Sequence, residues 1–199
     1  HTKKIAIANK ESIVCAWNLI NKELMKNKTQ FIPVDSEHFS LWYALRNVHK
    51  SKIEKIYLTA SGGPLLKTSP SNLKNIKLAQ ALKHPTWTMG KKISIDSCTM
   101  MNKVFEVIEA KHLFGISYKQ IKILTHPNSY IHAIVKFKNG LIKIIAHDTT
   151  MKIPIFNTVN SDSNGMIKTD MLNLKKLNNL ELKEINFNLF PLVKILNQL

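Results

Sequence analysis

Apolar and polar residues along this chain change period several times, and each change marks an expected element. A short strand over residues 5–8 gives way at Asn9, Lys10 and Glu11 to a helix with Ile13, Ala16, Trp17, Ile20 and Leu24 on one stripe. A second strand is expected over residues 31–34, FIPV, followed at once by Asp35, Ser36, Glu37 and the helical run HFSLWYALRNV. Residues 56–60, IYLTA, read as a third strand running into Ser61-Gly62-Gly63-Pro64, and a polar helix around residues 72–83 follows. Residues 93–95 read as a short strand, residues 121–125 and 130–137 as further strands, and Asn139-Gly140 as the turn of a hairpin closed by residues 141–146. Residues 148–164 read as loop, NLELKEINF as an alternating segment, and FPLVKILNQL as an amphipathic tail.

The longest periodic stretch, residues 96–114, predicts one amphipathic helix capped by Asp96 or Ser97, with Met101, Val104, Phe105 and Ile108 on its buried stripe. Asn102 and Glu106 share a face at the four-residue spacing, and Lys103 precedes Glu106 by three. A helix N-terminus attracts anions, so Ser97, Asn102 and Lys103 could hold a phosphate while Glu106 binds a cation; the plainer reading is a capped helix with a solvated ion pair. Asp35 and Glu37 stand at the carboxyl end of a strand, where α/β proteins gather ligands, and two such carboxylates suit a hard cation, magnesium or manganese. The alternative there is a helix cap. HPTWTMG, residues 84–90, is too irregular for a strand and too apolar for a plain surface loop, which suggests a flap over a substrate or else a packed core loop.

Composition narrows the function classes. The formal net charge is +16, yet Arg46 is the sole arginine and the lysines are spread along the whole chain. Nucleic-acid recognition relies on the guanidinium fork, so no nucleic-acid partner is expected, and the charge serves at most to attract a small anion. No apolar run reaches the length of a membrane span or signal peptide, so no membrane partner is expected. Cys15 and Cys98 lack redox or metal spacing and read as reduced core thiols.

Six motifs then occur in one order: ANKES at 8–12, PVDSEH at 33–38, LTASGGP at 58–64, HPTWTMGKKISIDS at 84–97, TMMNK with EVIEA within 99–110, and HPNSYIH at 126–132. Together they closely resemble the 1-deoxy-D-xylulose 5-phosphate reductoisomerases, NADPH-dependent enzymes of non-mevalonate isoprenoid synthesis. The resemblance implies an α/β fold: a central catalytic domain with a mixed sheet over residues 35–199, and residues 1–34 as the end of a nucleotide-binding domain, a remnant Rossmann-type strand and helix. It implies that Asp35, Glu37 and Glu106 bind Mg or Mn, with Lys10 and His84 among the catalytic groups. Ser36, Ser61, Ser97, Asn102, Lys103 and Trp87 would hold a phosphorylated sugar, and Asn9, Lys10, Glu11, Met89, Gly90 and Met151 would face NADPH. It further implies a homodimer, built through the sheet containing the 130–146 hairpin, in a bacterial cytoplasm or a plastid-type organelle. Val104 stands where the family has glycine, His112 where it has tryptophan, Cys98 where it has alanine, and Lys152 where it has arginine. The rest of the nucleotide-binding domain is expected before His1 and a helical domain after Leu199. Two readings follow: the catalytic core of the reductoisomerase, or a remnant that binds metal and phosphosugar without turnover.

Overall fold

The structure, a computed structural model, describes residues 2–199. Strand β1 (Lys4–Ile7), helix α1 (Lys10–Lys26) and strand β2 (Gln30–Pro33) form the first unit, in which the two strands pair in parallel from Lys4–Gln30 to Ile7–Pro33. Asn9 caps α1 by accepting a hydrogen bond from the Ser12 N–H, and Asp35 caps α2 (Ser36–Ala44) by accepting from the Glu37 N–H. Then come β3 (Ile53–Ala60), the single turn α3 (Leu78–Ala81), α4 (Lys91–Cys98), α5 (Met101–Phe114), β4 (Ile121–Thr125), β5 (Ile131–Phe137) and β6 (Ile142–Ala146). The chain closes with α6 (Lys152–Val159), α7 (Leu174–Asn178), β7 (Lys183–Glu184) and a 3₁₀ stretch, Pro191–Gln198.

The main sheet runs β6-β5-β3-β4-β7, with β3 and β4 parallel and the other neighbours antiparallel, so the fold is α/β with a mixed sheet, as expected. β3 is central, and its Ile56 and Leu58 are fully buried with Leu41, Val107, Ala133 and Val135. A second cluster gathers Val104, Met100, Ala60, Ile185, Phe190 and Val193 between α5 and the tail. Burying one such side chain stabilises the fold by roughly 1.5–3 kcal/mol. Val104 is 1% exposed and fills core space, while His112 stacks on Trp17 with centroids 6.4 Å apart.

Several expectations are corrected. Residues 93–95 are helical: Gly90 opens α4, the Ser94 hydroxyl donates back to the Gly90 carbonyl at 2.9 Å, and Lys92 pairs with Asp96 one turn on. A short apolar segment carries too little periodicity to separate strand from helix. The helix expected over 96–114 is divided: Asp96 and Ser97 belong to α4, and α5 starts after Met100, whose φ of 62° is left-handed. The polar helix at 72–83 shrinks to the 3₁₀ turn Pro70–Asn75 and α3, because Ile76 and Lys77 between them are extended. The 148–164 loop contains α6, which tolerates Pro154 in its first turn. NLELKEINF pairs over two residues only. Cys98 is buried as expected, but Cys15 is exposed on the outer face of α1.

Candidate active site

The carboxyl ends of β2 and β3 and the start of α5 converge on a cavity of about 280 Å³. Its floor is ionic. Lys10 Nζ, on the first turn of α1, lies 2.6 Å from Asp35 Oδ2 and 2.9 Å from Glu106 Oε1. Lys103 Nζ lies 2.8 Å from Glu37 Oε1 and also pairs with Glu106 Oε2. Asn102 donates to Glu106 Oε1, and Ser36 Oγ donates to Glu37 Oε2 at 2.6 Å. One oxygen from each of Asp35, Glu37 and Glu106 falls within 4.8 Å of the others. All five charged side chains are at most 15% exposed, so solvent screens them little.

Burial disfavours the charge on Lys10, but Asp35, Glu106 and Glu37 outweigh it and hold its pKa well above the ordinary value. Burial likewise opposes ionisation of Asp35, yet Lys10 and His38 hold that carboxyl well below its usual range. Glu106 moves the other way, raised by burial and by repulsion from Glu37. The centre thus contains a carboxylate whose ionisation is incompletely compensated, which a divalent cation would relieve.

The cavity walls are mostly apolar, with a few polar groups set into them. His84 Nδ1 accepts hydrogen bonds from the backbone N–H groups of Trp87 at 2.9 Å and Thr86 at 3.2 Å. Its proton therefore sits on Nε2 and is donated to Ser61 Oγ at 3.1 Å. Burial lowers the His84 pKa, in keeping with a neutral ring. Ser61 Oγ also accepts from the Gly63 N–H at 3.1 Å, which leaves its own hydrogen free to turn toward a ligand. Gly63 has φ +63°, and a Cβ there would meet the Ser97 carbonyl oxygen at 2.8 Å, so the backbone after β3 packs directly on the end of α4.

The same cavity is lined by Ser97, Asn102 and Lys103, by Trp87 and Met89 of the 84–90 loop, and by Met151 at the start of α6. That loop has no regular secondary structure, and four of its residues, His84, Trp87, Thr88 and Met89, line the cavity. Three predicted residues stand apart. Asn9 caps α1, Glu11 pairs with Lys92 at 2.7 Å, and Gly90 opens α4; none lines the cavity. Ser97 reaches the cavity from α4 and does not cap α5. Sequence reasoning passed over His132, which lines the cavity within HPNSYIH, and over His38 and Glu109 behind the carboxylates. Burial and the neighbouring His147 ring push His132 down to about 3, so it is neutral.

Fold and site together define an α/β enzyme-like core in which buried carboxylates and lysines lie beneath a hydroxyl-lined, loop-covered cavity. Residues 31–114 match the family model for the 1-deoxy-D-xylulose 5-phosphate reductoisomerase C-terminal domain. The reductoisomerase of Pelagibacter ubique is 60% identical over 198 residues, covering 100% of this chain and 51% of that protein. That of a Wolbachia strain from Drosophila simulans is 46% identical, covering 98% of this chain and 50% of that protein. Among solved structures, the Zymomonas mobilis reductoisomerase in complex with NADPH superposes with a TM-score of 0.89 at 34% identity, over 98% of this chain and 50% of that one. A DOX-P reductoisomerase in complex with NADPH, fosmidomycin and magnesium superposes at 0.88 and 36% identity, with the same coverage. The chain belongs to the 1-deoxy-D-xylulose 5-phosphate reductoisomerase family, and it spans about half the length of the curated relatives it matches.

Proposed function

We propose that this chain carries the catalytic portion of an NADPH-dependent reductoisomerase that converts 1-deoxy-D-xylulose 5-phosphate to 2-C-methyl-D-erythritol 4-phosphate. The observation that carries the reading is the meeting of Asp35, Glu37 and Glu106 beneath a cavity lined by Ser61, His84, Ser97, Asn102 and Lys103. Three carboxylate oxygens within 4.8 Å, already drawn together by two ammonium groups, fit a hard divalent cation of the magnesium or manganese type. When bound, such a cation supplies Lewis-acid polarisation of a carbonyl oxygen. The chain's own residues do the rest. The serine hydroxyls and the His84 N–H hold phosphate and sugar oxygens, and Trp87 with the 84–90 loop excludes water. Met89 and Met151 offer an apolar surface to a nicotinamide, in line with the NADPH held by the related structures. Lys10 and Lys103, whose ammonium groups lie at the cavity floor, would be placed to donate to substrate oxygens if a cation shared the carboxylates.

In this reading residues 1–34 complete a nucleotide-binding domain and residues 35–199 form the catalytic and connecting part. A partner copy of the chain covers the exposed β6 edge, and the protein works in a bacterial cytoplasm or a plastid-type organelle. The test is Mn²⁺ binding by calorimetry. Glu106→Gln keeps the shape and removes a ligand charge, so affinity should fall about tenfold or more, and NADPH oxidation with 1-deoxyxylulose 5-phosphate should fall with it. Unchanged Mn²⁺ affinity in that variant overturns the assignment.

A further inference from the structure

Behind the carboxylates stands a wall of buried groups that the reading above leaves without a role. His38, on the first turn of α2, is fully buried, and its ring lies parallel to Phe114 with centroids 6.4 Å apart and planes 1° from each other. Its Nε2 is 2.8 Å from the backbone carbonyl oxygen of Glu106. A carbonyl only accepts, so Nε2 carries a hydrogen and donates it. Its Nδ1 is 3.1 Å from Asp35 Oδ1 and 3.5 Å from Glu109 Oε2. One imidazole thus ties the cap of α2 to the backbone of α5, the two elements that supply all three carboxylates.

Glu109 lies one turn after Glu106 and is 1% exposed, and its Oε2 has no hydrogen-bond partner among the described residues. A buried carboxylate oxygen in that state is costly, and the contact with the His38 ring offsets it only in part, since burial still pushes the Glu109 carboxyl up to about 7. Glu109 is not part of the cavity lining, so contact with substrate does not account for it. Asp35 Oδ1 also accepts from the Glu37 N–H at 3.3 Å, so this oxygen is held from two sides while Oδ2 points to Lys10 Nζ at 2.6 Å.

Resting on the metal reading above, we propose that His38 and Glu109 are positioning residues for the carboxylate centre. Glu109 holds the His38 ring, and the ring fixes Asp35 Oδ1 and the Glu106 backbone so that Asp35 Oδ2 and the Glu106 carboxylate face one another. Partners that orient metal ligands in this way typically govern affinity by about 10–100-fold.

Amide side chains separate the two ends of the ring. Asn places its amide nitrogen near the position of Nδ1, and Gln places its own near Nε2. His38→Asn therefore keeps the contact with Asp35 and gives up the Glu106 carbonyl, whereas His38→Gln does the reverse. Glu109→Gln keeps shape and removes the charge. Mn²⁺ affinity of the ion-free protein is measured by calorimetry, with the melting temperature recorded beside it. His38→Gln and Glu109→Gln should each weaken Mn²⁺ about tenfold or more, and His38→Asn should recover to within about threefold of the parent. If all three variants bind Mn²⁺ as the parent does while melting earlier, the pair only supports the fold and the proposal is overturned. It is equally overturned if Asn binds no better than Gln. Should the His38 variants fail to fold, Glu109→Gln decides alone. Glu106→Gln is the control: if it too leaves Mn²⁺ binding intact, the metal reading fails, and if it alone loses binding, only the positioning role fails.

Discussion

Replacing Lys103 by methionine tests whether the floor of the cavity is a charge network or a set of independent contacts. Methionine keeps the unbranched, flexible stem as far as the Cε position and removes the ammonium. Lys103 is 5% exposed in its side chain, and its Nζ serves Glu37 and Glu106 together. After the change Glu106 keeps Lys10 at 2.9 Å, but Glu37 loses its only ammonium contact among the described residues. Removing one partner of a buried pair costs about 3–5 kcal/mol, and the surviving Lys10 contact puts this case at the lower end, about 3 kcal/mol. In a chain of this size 1 kcal/mol corresponds to about 2–4 °C, so the melting temperature should fall by about 6–12 °C in chelator. Lys136→Met is the control, because the Lys136–Glu54 pair has a similar length, 2.8 Å, but is 39% and 40% exposed. It should move the melting temperature by no more than about 2 °C. Manganese at a hundred times its dissociation constant adds about 2.7 kcal/mol to the folded state. In the variant the ion meets carboxylates that no Lys103 ammonium contests, so at equal concentration it should stabilise Lys103→Met more than the parent. A loss no larger than that of Lys136→Met, or a smaller gain from manganese than in the parent, refutes the reasoning.

His132 falls from 6.5 to about 3 in the folded chain, so below pH 6.5 the unfolded state takes up a proton that the folded state refuses. Stability should then drop as pH falls from 6.5 toward 3, by about 1.4 kcal/mol per pH unit for this group at most, and His132→Asn should flatten the melting curve against pH; parallel curves would count against it. Met100 is 2% exposed in a left-handed conformation. Glycine there relieves about 1–2 kcal/mol of backbone strain but forfeits about 2–5 kcal/mol of packing, so Met100→Gly should melt lower, and a higher melting temperature would contradict the account. The dimer proposed at the β6 edge, where Ile142 is 57% and Ile144 49% exposed, should dissociate in Ile144→Lys; light scattering that finds the parent itself monomeric at micromolar concentration sinks that proposal.

Most of the strands were legible because their signals are local, the exceptions being residues 93–95, which are helical, and NLELKEINF, which pairs over two residues only. Alternation and Asn139-Gly140 suffice for the β5–β6 hairpin, and the parallel pair β3–β4 shows as apolar runs ending in polar residues. Asp35 was legible both as a helix cap and as a ligand candidate at a strand end; it caps α2, and its carboxylate lies within 4.8 Å of oxygens of Glu37 and Glu106. The carboxylate floor was not legible from spacing, because Lys10 and Glu106 meet across 96 residues of chain. Motif order grouped Lys10, Asp35, Glu37, Lys103 and Glu106, side chains that the fold brings into contact, where periodicity alone had no means to. His38 and Glu109 escaped notice for a related reason: they lie in different motifs far apart in the chain, and only the fold shows that they face each other and Asp35.

The break at Met100 is where sequence and structure part most usefully. Neither glycine nor proline marks it, and the apolar stripe continues across it, so one long helix is the natural reading. In an unbroken helix, however, Ser97 and Asn102 would lie five positions apart, about 140° around the axis, and could not share a ligand. The left-handed residue ends α4 and starts α5 in a new direction, and the Thr99 hydroxyl supports the turn by donating to the Ile95 carbonyl at 3.0 Å. Both side chains then reach one cavity, Ser97 from the last turn of α4 and Asn102 from the first turn of α5. The buried Met100 side chain is what stabilises a conformation that methionine would not otherwise adopt, so the packing of one apolar residue sets the geometry of the polar ones beside it.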